Sequence, residues 1–123
     1  MPKGSMAMNG VELSDRITQL RRGVLELCIL QVLAPEASYG YEIVTKLEPF
    51  GPLAAGPNTV YPLLRRLKAD GLLTTFARAS PSGPPRQYYR ITGEGRRYLT
   101  SFEKEWDALA NAVNRLMRRG VAA

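Results

Sequence analysis

Apolar positions recur at helical spacing in four stretches of the chain and at strand spacing in two. The first helix is expected over residues 15–33. Ile17, Leu20, Val24 and Leu27 form one stripe, and Leu25, Ile29, Val32 and Leu33 form another. A helix apolar on two faces must bury both. One face fits its own domain and the other needs a second surface. Ser14 is the expected N-cap, with Asp15 in the first turn. Pro35 ends the helix, since it cannot continue one and restricts Ala34 before it. A shorter helix is expected over residues 39–48, capped by Ser38, with Ile43, Val44 and Leu47 turned inward. Pro49, Gly51 and Pro52 stop it.

The third helix is expected to start from Asn58 as N-cap, with Thr59 as its first residue and Pro62 as its fourth. A proline at that depth forfeits about one backbone hydrogen bond and stiffens the helix start. Val60, Leu63, Leu64 and Leu67 make one buried stripe. At about 100° per residue the opposite face carries Asn58, Pro62, Arg65 and Ala69, flanked by Tyr61 and Arg66. Asp70-Gly71 closes the helix, with Gly71 in the left-handed position. Residues 72–79 and 86–92, rich in Thr, Phe, Tyr and Ile, read as two strands joined by the turn-forming loop SPSGPP. In that hairpin Arg78 and Arg86 lie toward the tip, and one of Tyr88 and Tyr89 faces the core.

The last helix is expected over residues 93–118, with Thr92 as N-cap and a start loosened by Gly93 and Gly95. Along it Leu99, Phe102, Trp106, Leu109, Val113 and Leu116 are spaced 3, 4, 3, 4, 3, a heptad seam. Three helices followed by a hairpin is the order of a winged helix-turn-helix domain. The fold class is therefore mainly α with a β-hairpin: a disordered tail (1–13), the winged helix-turn-helix (14–92), a C-terminal dimerisation helix (93–118) and a disordered end (119–123). A winged helix is complete without the last helix. Its seam and the spare stripe of Ile17, Leu20 and Val24 are expected to meet a second copy, making a homodimer. The alternative is a last helix folded back on its own domain.

Composition narrows the function. The 123 residues suit one domain with one modest core, and 45% apolar with 23% charged residues is an ordinary globular composition. No apolar run is long enough to span a bilayer, and no signal-peptide pattern opens the chain. The single cysteine, Cys28, excludes an intrachain disulfide and suits a reducing cytoplasm; flanked by Leu27 and Ile29, it reads as a small core hydrophobe. The absence of histidine removes the commonest general base and the commonest transition-metal ligand, and leaves Cys28 without a His partner. With no Gly-rich phosphate loop and no tight carboxylate pair, the sequence argues against an enzyme, a metal site or a bound cofactor.

Charge points to a partner instead. Formal net charge is +6. Between Gly56 and Tyr98 eight basic residues face two acidic ones, while the rest of the chain is balanced. Basic charge gathered in one structural unit is the footprint of a polyanion. Thirteen of the seventeen basic residues are Arg, which suits bidentate contacts to phosphate or guanine. The exposed face of the third helix fits a DNA major groove: Asn pairs with adenine, Arg with guanine or phosphate, and Pro or an aromatic ring with a thymine methyl. The competing class is a winged-helix interaction module that binds protein or RNA without reading sequence.

YGYEIVTKLE (39–48), NTVYPLLRRLKADGLL (58–73) and RQYYRITGEGRRYL (86–99) together resemble the phenolic-acid-responsive PadR family of bacterial transcriptional repressors. The likeness covers residues 20–116, and the single C-terminal helix resembles the short subfamily. The resemblance implies a dimeric repressor on a pseudo-palindromic double-stranded operator. Tyr39, Asn58, Thr59, Tyr61, Pro62 and Arg65 would meet the DNA, Arg66 and Lys68 would add positive charge beside them, and the hairpin with Arg78 and Arg86 would lie on the backbone or minor groove. It also implies an effector slot at the dimer axis, built around Trp106 with Phe102, Leu109, Leu20 and Leu27 and with Glu26 at its rim, suited to planar aromatic or cationic ligands.

Overall fold

Alternating stretches of helical and strand periodicity fold around one core in the computed structural model, which describes residues 10–122. Helix α1 (Gly10–Leu33) is followed by a two-residue strand β1 (Ser38–Tyr39), α2 (Gly40–Leu47), a 3₁₀ segment (Glu48–Leu53), α3 (Pro57–Ala69), the hairpin strands β2 (Leu73–Ser80) and β3 (Gly83–Ile91), and α4 (Gly93–Ala122). The core gathers Leu25, Ile29, Leu30 and Leu33 of α1, the apolar stripes of α2 and α3, and Leu73, Tyr89 and Ile91 of the sheet.

Helix α1 begins earlier than its expected cap. Ser14 lies inside it, where its carbonyl accepts a hydrogen bond from Thr18 Oγ1 at 2.8 Å, and Glu12 supplies the first-turn carboxylate that favours a helix start. Gly10 to Leu13 thus belong to α1 and not to a tail. At the other end α4 runs to Ala122, past Arg118. Of the expected tails, residues 1–9 and 123 lie outside the described residues.

The sheet has a third strand that the sequence pattern hides. Ser38 and Tyr39 pair antiparallel with Tyr89 and Tyr88, which gives the order β1-β3-β2. Ser38 is therefore not the cap of α2. It is fully buried, and its hydroxyl accepts a hydrogen bond from Lys46 Nζ at 2.8 Å. Tyr39 stands in extended conformation just before α2 instead of opening that helix. The hairpin reaches further than expected: Ser80 pairs with Gly83, so Pro81-Ser82 forms the turn. Pro84 and Pro85 are accommodated in β3 because β1 covers that strand only at Tyr88 and Tyr89, which leaves the proline edge open.

Helix α3 starts one step before its expected cap. Gly56 is the N-cap and Pro57 the first helical residue, where a missing N–H costs nothing. Asn58 is inside the helix, and Pro62 is its sixth residue, so the Asn58 carbonyl goes without its intrahelical bond. The C-terminus is as the sequence indicates. Gly71 has φ of 80°, its N–H donates to Lys68 O, and the Leu72 N–H donates to Leu67 O, the paired bonds of a Schellman motif.

Thr92 links this end of α3 to α4. Its hydroxyl donates to Gly71 O at 2.8 Å and accepts from the Gly95 N–H at 2.9 Å, capping α4. Gly95 does not loosen α4. A Cβ there would stand 2.3 Å from Leu72 O, so glycine lets the first turn close against the start of β2. That close approach carries Leu99 into the protomer's own core. Gln31 Nε2 donates to Glu103, tying α4 to α1.

Candidate nucleic-acid interface

Burying Val60, Leu63, Leu64 and Leu67 turns the other side of α3 outward. Asn58, Thr59, Pro62, Arg65, Arg66 and Lys68 are exposed, and Tyr61 is half-buried. Its ring lies against Gly40, where an added Cβ would come within 2.2 Å of Tyr61 Cε1. Glycine at the first position of α2 is what lets Tyr61 lie there.

A groove runs along each flank of this face. Toward the sheet, a hollow of about 440 Å³ is lined by Tyr39, Gly40, Tyr61, Arg65, Arg86, Gln87 and Tyr89. It brings together four of the expected DNA-facing residues from three elements: Tyr39, Tyr61, Arg65 and Arg86. Toward α1, a cleft of about 560 Å³ is lined by residues that include Thr18, Arg21, Arg22, Asn58, Thr59, Pro62 and Arg66. Arg21 Nη2 donates to Ala54 O at 2.6 Å and fastens the connector before α3 to α1; its Nε is buried without a partner among the described residues. Lys68, in the last turn, lines neither groove. Arg78 pairs with Arg86 across the hairpin.

The electrostatics favour an anion. Arg65, Arg78 and Arg86 have no carboxylate within 4 Å among the described residues. Arg86 is held over the Tyr39 ring at 4.5 Å and Arg78 over Tyr88 at 4.3 Å, contacts that fix a guanidinium while leaving its N–H edges free. Burial, reinforced by the neighbouring Tyr61 and opposed by Arg65, pushes the Tyr89 phenol up, so it remains a neutral donor at the floor of the sheet-side groove. Burial likewise pushes the Cys28 thiol up, in keeping with an unreactive core position.

The expected effector residues are not brought together in the protomer. Leu27 is core, and Glu26 faces α3 instead of α4: its carboxylate lies 3.7 Å from Arg66 Nε. Glu26 is thus not a free rim charge, and Arg66 is partly neutralised by it. Phe102 packs against the core edge and Val24 is half-buried, while Ile17, Leu20, Trp106, Leu109, Val113 and Leu116 are exposed. Sequence reasoning missed Thr18, Arg21 and Arg22, which read as the polar side of a hydrophobic helix; the adjacent arginines were the available signal. It also missed Gly40 and Gln87, whose part depends on a strand too short to show a period.

Comparison with known proteins gives a consistent answer. The family described as Transcriptional regulator PadR-like matches residues 29–101. The transcriptional regulator Rv3488 of Mycobacterium tuberculosis is 35% identical over 95 residues, covering 77% of this chain and 87% of that protein. The crystal structure of a PadR family transcriptional regulator from Eggerthella lenta superposes with a TM-score of 0.74 at 40% identity, covering 85% of this chain and 91% of the other. A PadR-like regulator from Bacillus cereus gives a TM-score of 0.71 at 39% identity, with 80% and 96% covered.

Proposed function

Because the chain belongs to the PadR-like family of transcriptional regulators, and so is a DNA-binding regulator and not an enzyme, we propose that it is a dimeric repressor whose α3 reads a pseudo-palindromic operator. The observation that carries this reading is the exposed face of α3 between two arginine-bearing grooves. Asn58, Pro62 and Arg65 sit where base edges pass. Tyr39, Tyr61 and Arg86 on one side, and Thr59 and Arg66 on the other, sit where the two phosphate strands of a major groove pass. Arg78 at the hairpin and Lys68 at the helix end add backbone charge.

The exposed apolar side chains of α1 and α4 support the two-fold part. Ile17 and Leu20 of α1 and Trp106, Leu109, Val113 and Leu116 of α4 leave an apolar surface uncovered. Large apolar side chains left exposed along two helices mark an association site, and a second copy of the same helices would cover them. A planar aromatic ligand fits between the two Trp106 rings of such a dimer and relieves repression if it favours a spacing at which the α3 helices miss their half-sites. With Glu26 already paired to Arg66, a preference for cationic ligands has no support from that residue. No helix among the described residues is long and apolar enough to cross a membrane, and we place the regulator in the cytoplasm with the DNA.

Selection of bound sequences from random duplexes tests the reading. The expected outcome is a two-fold symmetric motif with half-sites about 10 bp apart, and Arg65→Ala weakens the selected site by about 1–3 kcal/mol. Equal affinity for random and selected duplexes overturns it.

A further inference from the structure

Arg65 and Arg66 are neighbours on α3, yet the fold treats them differently. Arg65 lines the sheet-side groove with no carboxylate within 4 Å among the described residues. Arg66 lines the cleft toward α1, and its Nε lies 3.7 Å from Glu26 Oε2. The two partners are unequally placed. The Glu26 side chain is 15% exposed, whereas that of Arg66 is 66% exposed. The carboxylate is fixed among packed atoms, while the guanidinium stands largely in water and is tethered at one edge.

Glu26 owes its position to α1. Leu25 and Leu27 on either side of it are core residues, so the helix cannot turn it away from α3. A carboxylate this far from water needs a partner. Among the described residues no cation other than Arg66 lies within 4 Å of it, not even Arg22 one turn earlier. Arg21 and Arg22 line the same cleft as Arg66. Arg21 is committed to the Ala54 carbonyl. Glu26 is the only carboxylate within 4 Å of any of these three arginines among the described residues. It therefore sets how much positive charge the cleft presents.

A pair this long, with one partner open to water, adds little to folding stability. Its larger effect is on the face of α3. The carboxylate lowers the positive potential there and limits where Arg66 can reach. Non-specific DNA binding is essentially electrostatic, so it feels that loss in full. On the operator the base contacts of α3 set the register, and a tethered Arg66 need meet only the one phosphate beside it. We propose that Glu26 is a specificity-determining residue: by tethering Arg66 it weakens binding to random DNA more than binding to the operator. The proposal rests on the DNA-binding reading of α3, and it assigns part of the discrimination to a residue behind the reading face.

The test measures the full chain on the selected symmetric motif and on a random duplex of the same length, across a salt series. Glu26→Gln keeps the shape of the side chain and removes its charge. It is expected to bind the random duplex about five-fold more tightly near 0.15 M salt, with a salt slope steeper by about 0.9, the contribution of one added phosphate contact. Operator affinity should change little, and the melting temperature should match wild type. In an Arg66→Ala background the same substitution should leave binding to the random duplex unaffected. If Glu26→Gln keeps the wild-type ratio of operator to random affinity, or if its gain persists without Arg66, the tether does not set specificity, although operator reading by α3 stands. A ratio lowered through weaker operator binding makes Glu26 a prop for α3 and overturns the proposal as well. If wild type itself shows no preference for the selected motif, the DNA reading of α3 falls and this role with it.

Discussion

Helices α3 and α4 both carry apolar residues at helical spacing, yet the protomer treats them differently. In α3 the stripe Val60, Leu63, Leu64 and Leu67 is at most 4% exposed. In α4 Leu99 is 6% exposed, whereas Trp106, Leu109, Val113 and Leu116 are 40–65% exposed. The cause is where each helix sits. Helix α3 is enclosed by α1, α2 and β2 and is closed at its end by Gly71 and Leu72. Helix α4 is fastened by its N-terminal part, through Thr92, Gly95, Leu99, Phe102 and the Gln31–Glu103 hydrogen bond, and then runs off the core. Periodicity announces an apolar face; what covers that face depends on the chain around it.

The strongest way to break this comparison is to charge the uncovered stripe. Leu109→Glu with Val113→Glu is expected to yield monomer with the winged helix still folded, since each unpaired charge buried in a seam costs about 3–5 kcal/mol. Sedimentation reads the assembly and circular dichroism the fold, and Trp106 emission should move to the red as a covered ring becomes wet. A variant that sediments as an intact dimer removes α4 from the interface.

Next in size is the covered stripe. Leu64→Ala, at a fully buried position, should cost about 2–5 kcal/mol in denaturant unfolding. A loss below about 1 kcal/mol, comparable to that of a surface position, would mean that α3 is no better enclosed than the far half of α4.

The smallest expected effect concerns the outward side of α3, where the protomer also fixes a side chain. Gly40→Ala adds a Cβ that the Tyr61 ring must vacate. Helix propensity favours the change by about 0.5–1 kcal/mol, so folding stability should fall little while operator affinity drops by about 1 kcal/mol, the worth of one displaced contact. With Tyr61→Ala already present, Gly40→Ala should cost no further affinity. Additive losses in that cycle would separate Gly40 from the placement of Tyr61.

Features that rest on neighbouring residues were legible in the chain before folding. The stripes of α2 and α3, the left-handed Gly71, the Thr92 cap and the hairpin with Arg78 beside Arg86 all follow from backbone sterics, capping and periodicity. The arginine concentration and the outward face of α3 were legible for the same reason. The rest depended on how distant parts of the chain pack. β1 is two residues long and has no period; it exists because β3 offers it partners fifty residues away. Pro57 displaced Asn58 as the start of α3 because a preceding glycine could serve as cap. Gly95 looked like a weak point by propensity and became a close contact once Leu72 O lay against it. Glu26 met Arg66, and Leu27 and Leu99 joined the core, because α1 packs against α3 and α4 at once. Burial and pairing are sums over atoms that the chain brings together from far apart, and no local pattern carries that sum.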